Sequence, residues 1–551
     1  MHPHGSSFTP SEDRWGERAY NAELRPSTLG TVLMTAIATD SPFVLLHPED
    51  DVVVARRPAP AGTVWVGPKG EAVTCRERID LGHKLAIRRV SVGGVVQKYG
   101  QLIGYATRDI AAGDWVHQHN LGLGTLSHDY EYCTAIPAAP VAAVPRTFQG
   151  YRRADGRVGT RNYIAIVSTV NCSATSSKFI AQKFEESILE QYPNVDGVIP
   201  LVHKGGCAME YGGTDHRQLA RTLAGFAQHP NIAAYLVVGL GCETSQASFL
   251  TGEFNLVQLD NLGPNPPQPI TMNIQEQGGV AKTVKRGVSI LKELLPEVNK
   301  LRRVEIPASE LMLGLNCGGS DGNSGITANP ALGYASDLLV AQGGTAVLAE
   351  TPEIYGAEQV LIRRAINRGV ADKLVERIRW WEDYAAKFGA SIDNNPSVGN
   401  KKGGLTTIYE KSLGAVAKGG TTALRAVYEY AERITERGLV VMDTPGYDPT
   451  SVTGIVAGGC QVVVFTTGRG SCFGCKPSPT IKVSTNTPLY ERMRDDMDID
   501  AGPILDGETI ESVGKEIFEE VLAVASGKET KSEAQGIGDE EFCPWTWGPV
   551  F

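Results

Sequence analysis

The sequence lacks the long apolar segments that membrane proteins need. No run of about 18 apolar residues occurs among its 551 residues, so no membrane-spanning helix is predicted. The amino-terminal stretch MHPHGSSFTPSEDRWGERAYNAEL has no apolar core of the signal-peptide type, which favours a cytoplasmic protein. An excess of positive charge is also missing. The formal net charge of −10 argues against nucleic acid or an anionic membrane as the main partner.

Cysteine and histidine are both scarce. Ten cysteines are too few for a disulfide scaffold, and in a cytoplasmic protein we expect free thiols. The last of the ten histidines is His229, so any histidine ligand or base must come from the first 229 residues. A G-x-G-x-x-G fingerprint after the first strand is missing, which argues against the alternative of a dinucleotide-dependent oxidoreductase.

The composition that is present is that of an ordinary globular protein. Apolar residues make up 42% and charged residues 21% of the chain, and its length predicts about three domains. Short β-rich runs between Gly and Pro predict a small all-β unit in the first quarter, and an Ala- and Pro-rich linker follows. The predicted parts are a polar tail (1–32), a β unit (33–128), a linker (129–150), a middle α/β region (151–305) and a C-terminal α/β domain (306–551).

Apolar strand-like runs alternate with helix-like segments after residue 150. This alternation predicts a mostly parallel α/β sheet flanked by helices. The helix-like segments lie at 175–191, 274–295, 358–388 and 421–437.

A cysteine follows an apolar run five times in this part of the chain. These cysteines are Cys172, Cys207, Cys242, Cys317, and the pair Cys472 and Cys475. The carboxyl ends of parallel strands share one edge of a sheet, where ligands bind, so we expect the thiols to converge there. Packing is the competing explanation, because free cysteine is often a small buried hydrophobe.

The loop CGGSDGNSGITANP after Cys317 is rich in small polar groups. Its backbone amides, hydroxyls and one carboxylate, Asp321, predict a site for a polar or anionic ligand. The loop has no P-loop lysine, so a nucleotide phosphate is not favoured. Arg469 and Lys476 are predicted to bind carboxylates. The predicted substrate-binding residues are Gly318, Gly319, Ser320, Asn323, Thr327, Asn329, Arg469 and Lys476.

Histidines beside predicted strands are candidate acid, base or metal-binding groups. His117 and His119 are two residues apart and would share one face of a strand. His203 and Lys204 precede Cys207 at another strand end. Ordinary surface histidines, and a structural histidine beside a surface lysine, are the alternatives.

Several long motifs resemble the altronate/galactarate dehydratases. They are GYRRADGRVGTRNYIAIVSTVNCSAT, VVGLGCE, NCGGSDGNSGITANPALG, TPEIYGAE, TTGRGSCFGCKPSPTIKVSTNTPLYERMRDDMDIDAG and YGQLIGYATRDIAAGDWVHQHN. The resemblance implies an N-terminal SAF-like β-clip domain, a linker, a middle region used in dimerisation and a Rossmann-like C-terminal domain. It also implies a homodimer that depends on a divalent metal, Fe(II) in the first place and Mn(II) as the alternative.

We therefore predict a metal-dependent hydro-lyase that removes water from a sugar acid of the galactarate or altronate type, giving a 2-keto-3-deoxy sugar acid. Elimination needs an electrophile, an acid and base, and groups that hold the anion. The predicted metal ligands are Cys207, Cys242 and Cys317, and the predicted catalytic residues are His117, His119, His203, Lys204 and Asp321. A lyase acting on another aldonate or on sulfolactate, and a non-catalytic binding module, remain as alternatives.

Overall fold

The computed structural model describes residues 41–124, 129–258 and 268–546. The predicted polar tail (1–32) lies outside the described residues, as do both ends of the predicted β unit (33–128). Among the described residues, no helix combines the length and the apolar character that crossing a membrane requires.

The first part of the structure is entirely β. Antiparallel strands form two sheets of order β1-β2-β5-β8 and β6-β7-β9 and a hairpin, β3-β4. The side chains of β2 are all buried: Val53 and Ala55 pack with Trp65 and Leu85 in a small core, and Val52 and Val54 face the large core. The strands are β1 (Phe43–Val44), β2 (Val52–Ala55), β3 (Val64–Val66), β4 (Ala72–Thr74), β5 (Lys84–Ala86), β6 (Val95–Lys98), β7 (Gln101–Ala106), β8 (Trp115–Val116) and β9 (Leu121–Gly122).

The middle part contains a four-stranded parallel sheet of order β13-β12-β14-β15. A second, antiparallel sheet has the order β11-β10-β16; β10 and β11 precede the parallel strands in the sequence, and β16 follows them. The elements are β10 (Thr147–Arg152), β11 (Val158–Gly159), β12 (Tyr163–Ser168), α1 (Asn171–Ala181), α2 (Glu186–Leu189), β13 (Gly197–Leu201), α3 (Thr214–Ala227), β14 (Ile232–Gly239), α4 (Ala247–Glu253), β15 (Ile270–Asn273), α5 (Ile274–Gln277), α6 (Val280–Val298) and β16 (Val304–Pro307).

The C-terminal part is built on a seven-stranded parallel sheet of order β19-β20-β18-β17-β21-β22-β23. Its inner strands are buried on both faces, as their Val-rich sequences lead one to expect. The elements are β17 (Met312–Cys317), α7 (Ala328–Ala341), β18 (Thr345–Leu348), α8 (Glu358–Ile362), α9 (Arg368–Lys387), α10 (Val398–Lys402), α11 (Ile408–Val416), β19 (Leu424–Tyr428), β20 (Gly438–Met442), α12 (Asp448–Ala457), β21 (Val462–Thr467), β22 (Thr480–Ser484), α13 (Thr487–Arg492), β23 (Ile499–Asp500), α14 (Ile510–Ala525) and α15 (Lys531–Ala534).

The predicted fold class, a small β domain followed by a mostly parallel sheet flanked by helices, is confirmed. The helix expected at 421–437 is wrong. That segment contains strand β19, which pairs in parallel with β20 at the sheet edge. Pairing with a neighbouring strand overrides a helix-like local pattern. The expectation that all five cysteine loops share one edge is also wrong, because their strands belong to two different sheets.

Candidate functional site

A buried cluster of charged groups surrounds Cys317 at the carboxyl end of β17. The Cys317 thiol lies 3.7 Å from Glu353 Oε2, and its backbone N–H donates to Glu350 Oε2 over 3.1 Å. Among the described residues, Cys317, Glu350 and Glu353 form the only group of three Cys, His, Asp or Glu ligand atoms within 4.8 Å of one another. These three residues are the candidate metal-binding group of the seven-stranded sheet.

Two lysines from α11 and the turn after it pair with these carboxylates. Lys418 Nζ lies 2.8 Å from Cys317 Sγ and 2.5 Å from Glu350 Oε2. Lys411 Nζ lies 2.6 Å from Glu353 Oε1. The side chains of Lys418 and Glu350 are both fully buried. Because an unpaired buried charge is strongly destabilising, each partner requires the other.

Adjacent strands deliver the ligand atoms. Glu350 and Glu353 follow β18, which pairs directly with β17 and so brings them beside Cys317. Glu350 has a φ of 66°, in the left-handed region that non-glycine residues seldom adopt. Strained backbone of this kind is typical of functional sites.

Asp448, at the start of α12, completes the cluster. Its Oδ1 accepts a hydrogen bond from Asn316 Nδ2 over 3.2 Å. A Cβ on Gly318 would lie 2.3 Å from Asp448 Oδ2, so only glycine lets the carboxylate come this close. Gly318 therefore has a spatial role that differs from its predicted role as a backbone donor.

Burial and crowding of like charges shift the titration of the site. Burial, reinforced by Glu353, raises the pKa of Glu350 to about 7 although Lys418 opposes this. Burial, with the Glu350 and Glu353 charges, raises the pKa of Asp448 to about 8. Burial disfavours the Lys418 ammonium, but the Cys317 and Glu350 charges outweigh it and raise the pKa of Lys418. Burial raises the pKa of the Cys317 thiol.

Several buried polar atoms without a hydrogen-bond partner belong to this cluster, to the loop after β17 or to α11. They include Glu350 Oε1, Asn316 Oδ1, Ser320 Oγ, both amide atoms of Asn323, and Ser412 Oγ of α11. A buried polar atom without a partner is costly, so a ligand at this place would satisfy several at once. Excess carboxylate charge and free oxygen atoms also fit a divalent cation, for which one thiolate and two carboxylates suit Fe(II) and Mn(II).

The β domain docks beside this cluster through a buried ion pair. Glu410 of α11 accepts hydrogen bonds from Lys84 (2.8 Å) and Lys98 (2.9 Å), and all three side chains are fully buried. The two lysines lower the pKa of Glu410 to about 2 against the opposing effect of burial. Since Lys411 is the next residue, α11 connects the domain contact directly to the Glu353 carboxylate.

One of the two predicted histidines of the β domain, His117, lies at the same contact. His117 Nδ1 is 3.3 Å from Thr406 Oγ1, and the ring stacks on Trp115 at 5.0 Å. Burial, with the nearby Lys84 charge, lowers the pKa of His117 to about 3, so the imidazole is neutral. His119 is exposed and also contacts Trp115. Both histidines lie beyond the end of β8 rather than within it.

The other predicted residues of the C-terminal domain divide into two groups. Asp321 accepts hydrogen bonds from Thr485 and Ser324 and holds the loops together. Thr327 donates to Thr485 O (2.8 Å), and Asn329 Nδ2 donates to Gly414 O (2.9 Å), so these side chains have protein partners. The second group lies near the surface. The Arg469 side chain is exposed, and its backbone N–H donates to Gly319 O. Lys476 forms an ion pair with the exposed Asp539.

The structure separates the three predicted metal ligands. Cys317 belongs to the seven-stranded sheet and is buried, whereas Cys207 and Cys242 belong to the four-stranded sheet and are exposed. His203 is buried, with Nε2 bonded to Ser168 O and Nδ1 accepting from Gly205 N. Burial lowers the pKa of His203 to about 4, and Lys204 is exposed.

Sequence reasoning missed most of the charged cluster: Glu350, Glu353, Lys411, Lys418 and Asp448. One signal was present, because Glu350 ends the apolar run TAVLAE in the same way that Cys317 ends its own strand. The lysines had no such signal, since a lysine in a helical segment usually faces solvent.

Three family profiles match the chain. The profile described as D-galactarate/Altronate dehydratase, C-terminal, covers residues 308–550. The second-domain profile of D-galactarate dehydratase/Altronate hydrolase covers residues 150–299. The Altronate/galactarate dehydratase SAF domain covers residues 41–123, which identifies the β part as a SAF domain.

Named relatives match over nearly the whole chain. An altronate dehydratase of Bacillus subtilis (strain 168) is 37% identical over 488 residues, 88% of this chain and 95% of the relative. An altronate dehydratase of Escherichia coli (strain K12) is 36% identical, covering 89% of this chain and 96% of the relative. A galactarate dehydratase (L-threo-forming) of the same organism is 38% identical, covering 90% and 95% respectively.

Proposed function

The chain belongs to the altronate/galactarate dehydratase family, and on this premise we propose that it removes water from a sugar acid at the Cys317 cluster. It is a hydro-lyase, as its named relatives are. One observation carries the location of the site. The family's C-terminal region encloses a buried thiol–carboxylate–lysine cluster surrounded by polar atoms that have no protein partner.

The reaction takes a proton from the carbon next to a carboxylate and a hydroxide from the following carbon. The enol that results tautomerises to a 2-keto-3-deoxy sugar acid, and one water molecule is released. The difficult points are the weakly acidic proton, the charge that builds on the carboxylate and the poor leaving group. A site for this chemistry needs a base that accepts the proton from carbon, positive charge near the carboxylate and a proton donor near the leaving hydroxyl.

We propose that Cys317, Glu350 and Glu353 hold a divalent metal, Fe(II) or Mn(II). A bound divalent ion would supply Lewis-acid stabilisation of the carboxylate charge. The Glu350 Oε1 atom, which has no partner, supports this assignment because it is available for a ligand. The Lys418 ammonium stays close to both Cys317 and Glu350 and offsets part of their negative charge.

Asp448 is the proton donor in this proposal. Burial, with the charges of Glu350 and Glu353, raises the pKa of Asp448 to about 8, and burial, the larger cause, favours the protonated carboxyl also when a cation offsets those charges. Its Oδ1 is bonded to Asn316, which leaves Oδ2 to deliver a proton to the departing hydroxyl. The retained proton converts hydroxide, a poor leaving group, into water.

The substrate itself would be held by the loop after β17. Ser320 and Asn323 are buried and have hydrogen-bonding atoms without a partner, which suits the hydroxyl groups of a sugar acid. Arg469, exposed beside this loop, is suited to a carboxylate. These assignments keep Ser320, Asn323 and Arg469 in their predicted roles, and they give Asp321, Thr327 and Asn329 structural ones.

His117 and His119 lie outside the Cys317 cluster and have a subordinate role in the proposal. Both lie on the SAF domain; His117 contacts the loop that leads into α11, whereas His119 contacts Trp115 of its own domain. With a pKa of about 3 the His117 imidazole is neutral at pH 7 and is a weak base, so we assign it hydrogen bonding at the domain contact rather than proton transfer. The family resemblance further leads us to propose a cytoplasmic homodimer formed through residues 151–305, which sedimentation velocity of the purified chain would test.

A panel of substrates tests the proposed function. The purified enzyme, loaded anaerobically with Fe(II) or Mn(II), is offered galactarate, altronate, other aldonates and sulfolactate. Semicarbazide trapping of a 2-keto acid, with no sulfite released, is the expected outcome for galactarate or altronate. Sulfite release would favour the sulfolactate alternative. No keto acid from any sugar acid, with the metal bound, would contradict the proposal.

A further inference from the structure

Three exposed cysteines lie at one edge of the four-stranded sheet. Strand β12 lies between β13 and β14, and a segment carrying one cysteine follows each of the three strands: Cys172 in the first turn of α1 after β12, Cys207 in the loop after β13 and Cys242 in the loop after β14. The strands are parallel, so their carboxyl ends face the same way. Neighbouring strands are about 4.8 Å apart, so consecutive loops lie side by side. This edge is separate from the Cys317 cluster, which ends a strand of the other sheet.

The three loops are joined to one another by backbone hydrogen bonds. Asn171 N, next to Cys172, donates to Gly205 O over 3.0 Å, and Ser245 N donates to Gly206 O over 2.9 Å. Gly206 has a φ of 99°, and a Cβ there would lie 2.3 Å from Thr169 O. Only glycine permits this close packing, so the Cys207 loop is held against the loops of Cys172 and Cys242.

Buried polar side chains support each loop from beneath. His203 bonds Ser168 O with one ring nitrogen and accepts Gly205 N–H with the other, so neither nitrogen is available as a ligand. Glu243 accepts hydrogen bonds from Thr169 Oγ1, Leu240 N and Gly241 N, which fixes the turn that carries Cys242. Reactive groups on supports of this kind are held in a fixed geometry.

The ligand set of three thiols points to a centre that binds soft metals. Thiolates select iron–sulfur clusters, copper(I) and zinc. A single tetrahedral zinc ion would bring thiolates to about 3.8 Å from one another, yet among the described residues no three-ligand group within 4.8 Å includes these cysteines. A cluster of several irons separates its thiolates more widely. Cys172 is also in the first turn of α1, where the helix dipole favours negative charge.

We propose that Cys172, Cys207 and Cys242 bind an iron–sulfur cluster at this edge. Three thiolates on a four-iron cluster leave one iron without a protein sulfur, facing the solvent. The assignment does not depend on the proposed location of sugar-acid dehydration, because it concerns different residues in a different sheet. It also accounts for exposed cysteines on supported loops, which packing alone does not.

Anaerobic reconstitution of the full chain with ferric iron, sulfide and dithiothreitol, in which the thiols reduce half of the iron to Fe(II), tests this site. We expect about four irons and about four acid-labile sulfides per chain, with the visible absorbance of such a cluster. Electron paramagnetic resonance after reduction is the second readout. The Cys172→Ser, Cys207→Ser and Cys242→Ser variants should each retain less than about a fifth of the sulfide. Circular dichroism checks their folding, and the corresponding alanine variants replace any serine variant that fails.

Two further variants separate this site from the rest of the chain. Cys472→Ser changes another exposed cysteine, which follows β21 of the other sheet, and it should keep the full sulfide content. Cys317→Ser should also keep it, since sulfide reports only the cluster. The proposal is overturned if the wild-type chain incorporates no acid-labile sulfide, or if the triple variant Cys172→Ser/Cys207→Ser/Cys242→Ser incorporates as much as the wild type.

Discussion

Two sheet edges in this chain carry cysteines at or beyond the carboxyl ends of their strands, yet they provide different chemical environments. At the seven-stranded edge, Cys317 is 2% exposed and is surrounded by Glu350, Glu353 and Lys418. At the four-stranded edge, Cys172, Cys207 and Cys242 are exposed and have no such charged surroundings in the contacts described. The first edge offers a metal both carboxylate and thiolate ligands, whereas the second offers thiolates alone.

The difference between the edges comes from distant parts of the chain. Lys418 and Cys317 are 101 residues apart in the sequence, and Asp448 and Asn316 are 132 apart. Glu410 of helix α11 pairs with Lys98 of the SAF domain, and Lys411 of the same helix pairs with the Glu353 carboxylate. Helix α11 therefore covers this edge. The strand therefore fixes the position of its cysteine, while residues from distant parts of the sequence determine the chemical environment of the thiol.

The largest expected effect comes from removing a carboxylate of the closed edge. We expect Glu350→Gln to lower kcat/KM about 1,000-fold or more, equivalent to about 4 kcal/mol, because a metal ligand is lost. Steady-state kinetics and metal analysis of the same preparation measure both consequences. Glu358→Gln is the matched control, since Glu358 is also buried but contacts Tyr130 rather than Cys317. Unchanged turnover and metal content in Glu350→Gln would remove this edge from the mechanism.

Removing the lysine partner tests the charge balance of the same edge. We expect Lys418→Met to lower the free energy of unfolding by about 3–5 kcal/mol, because Glu350 is left buried without its partner. Urea denaturation of metal-free protein measures the change. Lys300→Met, at an exposed pair with Glu297, should change it by less than about 1 kcal/mol. Equal effects of the two substitutions would show that burial of the Lys418 pair has no energetic consequence.

The domain contact above the closed edge gives a third, pH-dependent prediction. Glu410→Gln leaves Lys84 and Lys98 without a counter-charge, and we expect a loss of about 3 kcal/mol at pH 7. The folded-state pKa of Glu410 is lowered from 4.5 to about 2, so its stabilisation is present above 4.5 and is lost as the pH falls toward 2.

Denaturation of both proteins at several pH values tests this sign. The difference between wild type and Glu410→Gln should shrink below pH 4.5 by up to about 1.4 kcal/mol per pH unit. Glu491→Gln, at an exposed pair with Arg494, should give a small difference at every pH. A difference for Glu410→Gln that grows in acid would contradict the assigned pKa.

The smallest effect concerns the close approach at Gly318. Gly318→Ala places a Cβ against Asp448 Oδ2, and moving that carboxyl should lower kcat about 10- to 100-fold. Gly252→Ala at the other sheet is the control, because a Cβ there meets nothing within 4 Å. A full kcat in Gly318→Ala would mean that Asp448 has room to move without consequence.

The sequence predicted the sheets better than it predicted the site. Continuous apolar runs such as VVVF in β21 predict buried strands, because a strand that is covered on both faces needs apolar residues at every position. The charges of α11 and of the turn after it gave no such signal, since the sequence around Glu410, Lys411 and Lys418 resembles that of a solvent-exposed helix. The strand order, which assigns Cys207 and Cys317 to different sheets, depends on pairings that no local pattern encodes.

The position of iron tests the central claim most directly. Anomalous diffraction at the iron edge, on crystals of enzyme loaded with Fe(II) without sulfide, should give a peak among Cys317 Sγ, Glu350 and Glu353. The same peak should vanish in Glu350→Gln and remain in Cys242→Ser. An active, iron-loaded enzyme with no iron at Cys317, and with its iron elsewhere in the chain, would contradict the account.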